Sequence, residues 1–258
     1  MSGKVYIVGA GPGAAQLLTV KAASLLRAAN VVLHDDLVPQ EILDLTGPSA
    51  EVVNVGKRCG RHLTSQQQIN ALMVEYARRY DSVVRLKSGD PAVFGRLGEE
   101  LDALREAGVA FEIVPGVTAA TAAAAAAGFT LTDRRAASAL VILTAHNCRG
   151  QSLSGVLLDP EQSTYAIYMP GPDYASTAHD LLRLGLDKST PCALVSNAGR
   201  ELQRVKFLPL SELPLVTGVA APALLVVGKV TDRTNLAELN LIVESARPEK
   251  TSPLMTLI

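Results

Sequence analysis

The chain has 258 residues, of which 48% are hydrophobic, and its formal net charge is −1. This length suits one large α/β unit or two modest domains, each of which could bury its own core. A general nucleic-acid or membrane-surface binder normally carries a visible basic excess, so the near-neutral charge balance argues against both classes.

Cysteine usage and the amino-terminal sequence bear on the cellular compartment. The cysteines Cys59, Cys148 and Cys192 are widely spaced and form no Cys-x-x-Cys pair, which argues against a disulfide framework and structural zinc. Cys59 and His62, with His146 and Cys148, could ligate a metal, but unrelated residues on separate loops explain the spacing better. Neither a leader pattern nor an apolar run of transmembrane length is present. We therefore expect a soluble, cytoplasmic protein without a metal.

Hydrophobic runs alternate with helix-like segments through the first half of the chain. The predicted strands are residues 4–8, 30–34, 51–55, 81–87 and 109–114. The predicted helices are residues 17–29, 65–80 and 95–108. A Ser65-x-x-Gln68 capping box marks the start of the second helix. Alternation of this kind predicts a mostly parallel sheet with helices on both faces.

Pro115-Gly116 marks the predicted boundary between an N-terminal α/β domain, residues 1–115, and a C-terminal α+β domain, residues 116–258. An alanine-rich helix over 118–127, with Gly128 as its C-cap, begins the second domain. The other elements predicted there are strands at 140–144, 164–168, 192–196, 203–207 and 223–227, and a helix at 174–184. Helices are sparser in this half, which favours a mixed arrangement. Residues after Thr231 are predicted to form a weakly ordered tail without a site.

Three glycine-bearing turns each follow a predicted strand. They are GAGPG at 9–13, SGDP at 88–91 and VPGVT at 114–118. Glycine has no Cβ to hold a ligand away from the backbone, and open parallel sheets bind ligands at their carboxyl edge. Rigid turns that expose main-chain donors and acceptors suit adenine, a ribose diol and an amino-acid head group. The three turns together therefore favour S-adenosylmethionine as the ligand.

The first turn also permits a rival interpretation. Residues 9–14 fit the G-x-G-x-x-A pattern of dinucleotide-binding folds, and Asp35 and Asp36 end the second predicted strand, where a ribose-binding acid would lie. Pro12 removes one of the amides that would hold a pyrophosphate. A nicotinamide-dependent oxidoreductase is therefore the less favoured alternative.

A concentrated basic loop follows the third predicted strand. The segment GKRCGRH at 56–62 contains Lys57, Arg58, Arg61 and His62. Guanidinium and ammonium groups suit carboxylates or phosphates, and the strand should deliver this loop to the same sheet edge as the glycine turns. Further positive charge is expected from Arg96, Arg134 and Arg135. A protein of near-neutral net charge whose cations are concentrated at this sheet edge is suited to a small polyanionic substrate.

Several segments together carry a family resemblance. They are GAGPG, HDDLV at 34–38, GKRCGRH, RLKSGDPAVFGR at 85–96, VPGVTAA at 114–120, AGFTLTDR at 127–134 and PAL at 222–224. In this order they resemble the tetrapyrrole methylase family, and the GKRCGRH and FGR segments resemble its members that methylate uroporphyrinogen III. The resemblance implies a two-domain homodimer that transfers methyl groups from S-adenosylmethionine to C2 and C7. The implied product is precorrin-2, the branch point toward sirohaem, cobalamin and haem d1.

The resemblance also implies roles for individual residues. Cofactor contacts are implied for Pro12, Gly89, Asp90, Val93, Thr118, Ala119, Met169, Ala198 and Ala223. Catalytic roles are implied for Asp35, Lys57, Arg96 and Glu99. We expect Arg96 to clamp a carboxylate and Asp35 or a water to accept a proton, because the high pKa of arginine makes it a poor base. Substrate carboxylates are expected to contact Arg58, Arg61, His62 and Arg134.

Four positions depart from the pattern of the family. Ser88 stands where glycine is usual, which requires a negative φ, and Leu97 replaces a small residue. Asp36 and Asp133 stand where arginine and histidine are common, so two potential carboxylate partners are missing. The length leaves no room for the dehydrogenase–ferrochelatase module of bifunctional relatives, which predicts a monofunctional enzyme. A methylase of a later precorrin, of diphthine or of ribosomal RNA, and a non-catalytic cofactor-binding protein, stay as alternatives.

Overall fold

A parallel sheet forms the first part of the protein. The structure, a computed structural model, describes residues 3–56, 64–145 and 159–232 of the chain. The strands of the parallel sheet are β1 (Lys4–Gly9), β2 (Val31–His34), β3 (Glu51–Asn54), β4 (Ser82–Lys87) and β5 (Ala110–Val114). The strand order is β3-β2-β4-β1-β5, and every neighbouring pair is parallel. The predicted parallel sheet is therefore confirmed.

Helices cover both faces of this sheet. They are α1 (Val20–Ala28), α2 (Gln40–Leu43), α3 (Gln66–Arg79) and α4 (Leu97–Glu106). Helices α3 and α4 pack on the face that carries Val83, whereas α1 and α2 pack on the face that carries Val84 and Leu86. Because side chains alternate along a strand, Arg85 and Lys87 of β4 point to the α3/α4 face, as Val83 does.

Some element boundaries differ from the predicted ones for local reasons. The first helix begins at Val20 because Thr19 Oγ1 accepts a hydrogen bond from the Ala22 amide at 3.1 Å. Helix α4 begins at Leu97, two residues later than predicted, because Arg96 adopts a left-handed conformation with φ 54°. Helix α2 was not predicted. The predicted capping box at Ser65 is confirmed, with both of its hydrogen bonds formed.

A mixed sheet forms the second part. Its strands are β6 (Ala139–Thr144), β7 (Ser163–Tyr168), β8 (Pro191–Ser196), β9 (Arg204–Pro209) and β10 (Ala223–Val227). The order is β6-β7-β10-β8-β9, in which only β6 and β7 run parallel. Helix α5 (Ala119–Ala127) packs on one face and α6 (Tyr174–Arg183) on the other. The predicted mixed α+β arrangement is therefore confirmed.

The link between the two sheets lies at residues 115–118, between β5 and α5. Helix α5 ends at Gly128, whose φ of 72° confirms the predicted C-cap. The division into domains 1–115 and 116–258 stays a prediction, and residues 233–258 of the predicted tail lie outside the described residues. Within residues 3–56, 64–145 and 159–232, no helix is long and apolar enough to cross a bilayer.

Candidate functional site

The three glycine turns meet at the carboxyl edge of the parallel sheet. Gly11 and Gly89 exchange two backbone hydrogen bonds, with N–O distances of 3.1 and 2.7 Å. A Cβ on Gly9 would lie 2.6 Å from the Gly116 nitrogen and 2.7 Å from the Gly89 carbonyl oxygen, so no side chain fits there. The predicted convergence of the loops after β1, β4 and β5 is confirmed.

Asp90 holds the Ser-Gly-Asp-Pro turn in place. Its carboxylate accepts hydrogen bonds from the Gly116 amide at 3.0 Å and the Ala92 amide at 2.8 Å. Gly89 takes the left-handed conformation, with φ 69°, and Ser88 is not among the described non-glycine residues with positive φ. The turn therefore accommodates Ser88, because the conformation that favours glycine falls on the next residue.

A cavity of about 430 Å³ opens at this edge, with a volume in the range of small-molecule sites. Loops of both sheets line it. All nine residues predicted to contact the cofactor are among the lining residues: Pro12, Gly89, Asp90, Val93, Thr118, Ala119, Met169, Ala198 and Ala223. Asp35 and Arg96 line the cavity as well. One cavity thus collects the predicted cofactor positions and two of the predicted catalytic residues.

Two of the other predicted site residues, Glu99 and Arg134, are described and are not among the lining residues. Glu99 binds the Arg96 guanidinium twice, at Nε–Oε1 2.8 Å and Nη2–Oε2 2.7 Å. Arg134 is exposed on the surface. Lys57, Arg58, Arg61 and His62 lie outside the described residues, as do Cys59, His146 and Cys148. Among the residues that the structure describes, no group of His, Cys, Asp and Glu could hold a metal ion.

Tyr168, at the end of β7, connects three parts of the cavity wall. Its hydroxyl oxygen accepts a hydrogen bond from the Ala120 amide at 3.0 Å and lies 2.5 Å from Thr118 Oγ1. Its ring packs against Phe94, with centroids 5.3 Å apart and ring planes inclined by 57°. These contacts join the start of α5, the mixed sheet and the segment that precedes α4.

Backbone strain is concentrated around the cavity. The described non-glycine residues with positive φ are Phe94 (52°), Arg96 (54°), Met169 (49°) and Asn197 (51°). Three of them line the cavity, and Asn197 directly precedes a lining residue. Such conformations cost about 1 to 3 kcal/mol each and persist where the surrounding structure imposes them, which is often at functional sites.

A buried group of charges beside the cavity was not predicted from the sequence. Arg85, Lys87 and Glu100 are each 3% exposed or less. Glu100 Oε1 accepts hydrogen bonds from Arg85 Nε at 3.0 Å and Lys87 Nζ at 2.8 Å. Arg85 Nη2 donates to Asp35 Oδ1 at 2.5 Å. The available sequence signal is a pair of cations two residues apart in an otherwise apolar strand, which places both on one face.

Burial shifts the ionisation of Lys87 in this group and, away from it, of Cys192 in the core of the mixed sheet. Desolvation, reinforced by the neighbouring Arg85 charge, lowers the pKa of Lys87 from its ordinary value, although Glu100 opposes the shift. Burial raises the pKa of the Cys192 thiol to about 12. Cys192 therefore stays a thiol at neutral pH and is unsuited to act as a nucleophile.

Arg200 links the loop between β8 and β9 to the first sheet. Its Nε donates to the Pro12 carbonyl at 2.9 Å, and its Nη2 donates to the Leu37 carbonyl at 2.8 Å. Burial lowers the pKa of this guanidinium from a very high ordinary value. Because Arg200 also lines the cavity, it connects the two walls.

Comparisons with known proteins identify a family and relatives. The family description "Tetrapyrrole (Corrin/Porphyrin) Methylases" matches residues 4–214. Siroheme synthase 1 of Cronobacter sakazakii is 44% identical over 230 residues, which are 88% of this chain and 49% of that protein. The chain spans about half the length of the curated relatives that it matches.

Solved structures share the fold across nearly the whole chain. The native uroporphyrin-III C-methyltransferase of Thermus thermophilus has a TM-score of 0.77 and 38% identity, covering 88% of this chain and 98% of that one. A structure of the Thermus protein complexed with S-adenosylhomocysteine matches with the same TM-score, 0.77. A cobalt precorrin-4 methyltransferase has a TM-score of 0.78 and 31% identity, covering 89% of this chain and 96% of that one.

Proposed function

This chain belongs to the tetrapyrrole (corrin/porphyrin) methylase family, and from that premise we propose that it methylates uroporphyrinogen III at C2 and C7 with S-adenosylmethionine, giving precorrin-2. The observation that carries the proposal is the single cavity in which nine implied cofactor positions meet Asp35 and Arg96. The Thermus relative, 38% identical over 98% of its length, supports this substrate class.

The cavity fits S-adenosylmethionine. Gly89 lines it, and beyond Gly89 and its two chain neighbours no atom lies within 4 Å of where its Cβ would be, so the backbone there is open to a ligand. The S-adenosylhomocysteine complex of the Thermus relative supports the same class of ligand. When bound, S-adenosylmethionine supplies an electrophilic methyl group. The task of the residues around it is to hold the acceptor carbon in line and exclude water.

Cationic residues are proposed to bind the acetate and propionate groups of the substrate. Arg96 lines the cavity, and its two hydrogen bonds to Glu99 hold the guanidinium in one orientation. Guanidinium groups pair well with carboxylates. Further carboxylate contacts are proposed for Lys57, Arg58, Arg61, His62 and Arg134, on the strength of the charge of these residues.

Asp35 is proposed to accept the proton that the macrocycle loses after methylation. Its side chain is 28% exposed and lines the cavity, so a substrate can reach it. Among the other ionisable lining residues, arginine side chains are poor bases by type, Lys87 binds Glu100, and Asp90 binds two backbone amides. A carboxylate is therefore the more suitable proton acceptor.

The proposal extends to assembly and location. We propose a cytoplasmic homodimer with domains at 1–115 and 116–258. The family resemblance supports the dimer, and the passage from β5 to α5 near residue 115 supports the domain boundary. Light scattering of the purified chain tests the dimer, for which the mass of two chains is expected.

A methylase of a later precorrin is the second candidate. The similarity to cobalt precorrin-4 methyltransferase favours it, with 31% identity and a TM-score of 0.78. Asp36, which lines the cavity where arginine is common in the family, supports a changed substrate preference.

An anaerobic assay with uroporphyrinogen III and S-adenosylmethionine tests the proposal, with the product followed by mass spectrometry. We expect a doubly methylated macrocycle and two S-adenosylhomocysteine molecules for each one formed. Transfer to a later precorrin without transfer to uroporphyrinogen III would select the second candidate. Calorimetric binding of NAD without binding of S-adenosylhomocysteine would contradict the methylase proposal altogether.

A further inference from the structure

Glu100 is a fully buried carboxylate that lines no part of the cavity. It lies in the first turn of α4 with 0% of its surface exposed. Its Oε1 accepts hydrogen bonds from Arg85 and Lys87, and a longer one from Gln66 Nε2 at 3.3 Å. Its Oε2 has no hydrogen-bond partner among the described residues. Burying charges is costly, and a hydrophobic group would often be equally stabilising, so stability alone does not explain this carboxylate.

Arg85 connects Glu100 to the cavity. Its Nε binds Glu100 at 3.0 Å, while Nη2 of the same planar guanidinium binds Asp35 Oδ1 at 2.5 Å. Its Nη1 donates to the carbonyls of Leu33 at 3.4 Å and Leu86 at 3.3 Å. Because the guanidinium is rigid and planar, its orientation at Glu100 sets the direction from which it meets Asp35.

Charge balance explains why Glu100 binds both Arg85 and Lys87. Arg85 and Lys87 bring two positive charges to the α3/α4 face of β4, and Glu100 and Asp35 bring two negative charges. Without the Glu100 charge, Asp35 would be the only carboxylate of this group to face both cations. The 2.5 Å contact between Arg85 and Asp35 would then compete with a contact from Lys87, and the Asp35 carboxylate would lose its fixed direction.

We infer that Glu100 is a positioning residue, which fixes Arg85 and through it holds the Asp35 carboxylate toward the cavity. Lys87 completes the arrangement by binding the same Glu100 oxygen at 2.8 Å. The inference rests on the proposed function, in which Asp35 accepts a proton from the methylated macrocycle. It adds a residue that touches neither substrate nor cofactor.

A double-mutant cycle of Glu100→Gln and Asp35→Asn tests the inference, with kcat for methylation of uroporphyrinogen III as the readout. Asp35→Asn should lower kcat about 100-fold, the scale of a lost proton acceptor. Glu100→Gln keeps the shape of the side chain and should lower kcat by about 10- to 100-fold through misplacement of Asp35. In the Asp35→Asn background, Glu100→Gln should change kcat by less than about threefold, because its effect passes through Asp35.

Two further measurements separate positioning from folding. Calorimetry should give an S-adenosylhomocysteine affinity for Glu100→Gln within about twofold of the unmodified protein, and a crystal structure should show the contact between Arg85 and Asp35 broken or displaced. Glu106→Gln, an exposed position on the same helix, is the matched control and should leave kcat unchanged. If Glu100→Gln fails to fold, Glu100→Asp replaces it in the cycle, because it keeps the charge but withdraws the carboxylate by one methylene.

The outcomes distinguish this inference from the function on which it rests. If the unmodified protein methylates uroporphyrinogen III but the two substitutions multiply in their effects on kcat, Glu100 acts independently of Asp35 and only the inference is overturned. An unchanged kcat in Asp35→Asn overturns it as well. If the unmodified protein transfers no methyl group to uroporphyrinogen III, the proposed function fails and the inference fails with it.

Discussion

Gly9 shows how little space separates the three turns at the cavity. The nearest atoms to its missing Cβ are backbone atoms of Gly116 and Gly89, at 2.6 to 2.7 Å. Backbone cannot move aside as the end of a flexible side chain can, so the closeness of the three loops depends on glycine at this position. Gly98, in α4, provides the contrast, because no atom outside the local backbone of its own helix lies within 4 Å of its missing Cβ.

Alanine at position 9 should therefore lower the free energy of unfolding by about 1 to 3 kcal/mol, as overpacking does elsewhere. The same change at Gly98 should raise it by up to about 1 kcal/mol, because glycine is a poor helix former. Urea denaturation of both variants measures the difference. Equal stabilities would show that the turns can separate without cost.

Arg96 is proposed to recognise a substrate carboxylate, and Arg96→Gln tests that role. Loss of a charged hydrogen bond costs about 1.5 to 3 kcal/mol, which corresponds to a rise in KM for the tetrapyrrole of about 10- to 100-fold. The affinity for S-adenosylhomocysteine should stay unchanged in calorimetry. Arg105→Gln is the matched control, since Arg105 is exposed on α4, the helix that Arg96 precedes, and pairs with Asp102. A KM equal to that of the control would remove Arg96 from substrate binding.

Helix α3 is an element whose start is specified locally. Ser65 Oγ accepts a hydrogen bond from the Gln68 amide at 3.2 Å, and Gln68 Oε1 accepts one from the Ser65 amide at 2.7 Å. Ser65→Ala should therefore lower the free energy of unfolding by about 1 kcal/mol. Gln67→Ala, at an exposed position two residues after Ser65, should change the free energy of unfolding little. If thermal unfolding showed equal losses of stability in Ser65→Ala and Gln67→Ala, the capping box at Ser65 would contribute nothing to stability.

Elements with strong local signals were predictable, and those imposed by tertiary structure were not. The three turns could be placed together because each follows an apolar strand and parallel strands end at one edge. Helix α2 has only four residues and is held by burial of Ile42 and Leu43, for which no periodic pattern exists. The left-handed conformation of Arg96 follows from no local propensity, so the start of α4 was misplaced.

The candidate site was predictable to a similar extent. The nine cofactor positions implied by the turns and family motifs line one cavity, while their contact with the cofactor stays a prediction. The buried group of Arg85, Lys87 and Glu100 was missed because it depends on the packing of β4 against α4. Arg200 was missed because its partners, the carbonyls of Pro12 and Leu37, are far away in sequence.

At the scale of the whole molecule, Arg200 joins the mixed sheet to loops of the parallel sheet across the cavity. Arg200→Ala removes both hydrogen bonds to those loops, and we expect the affinity for S-adenosylhomocysteine to fall at least about tenfold. Arg204→Ala is the matched control, because exposed Arg204 donates only to the carbonyl of the preceding residue, Gln203, among its described contacts. Calorimetry compares the two variants. Equal affinities would mean that the two cavity walls hold their positions without Arg200.

The central claim is that this cavity brings S-adenosylmethionine and uroporphyrinogen III together for methylation at two defined carbons. The most direct measurement is carbon-13 NMR of the product formed anaerobically with S-adenosylmethionine that carries a carbon-13 methyl group. We predict two enriched methyl signals, on C2 and C7 of the macrocycle. Label at any other ring carbon, or an unlabelled macrocycle recovered from protein that binds S-adenosylhomocysteine, would contradict the claim.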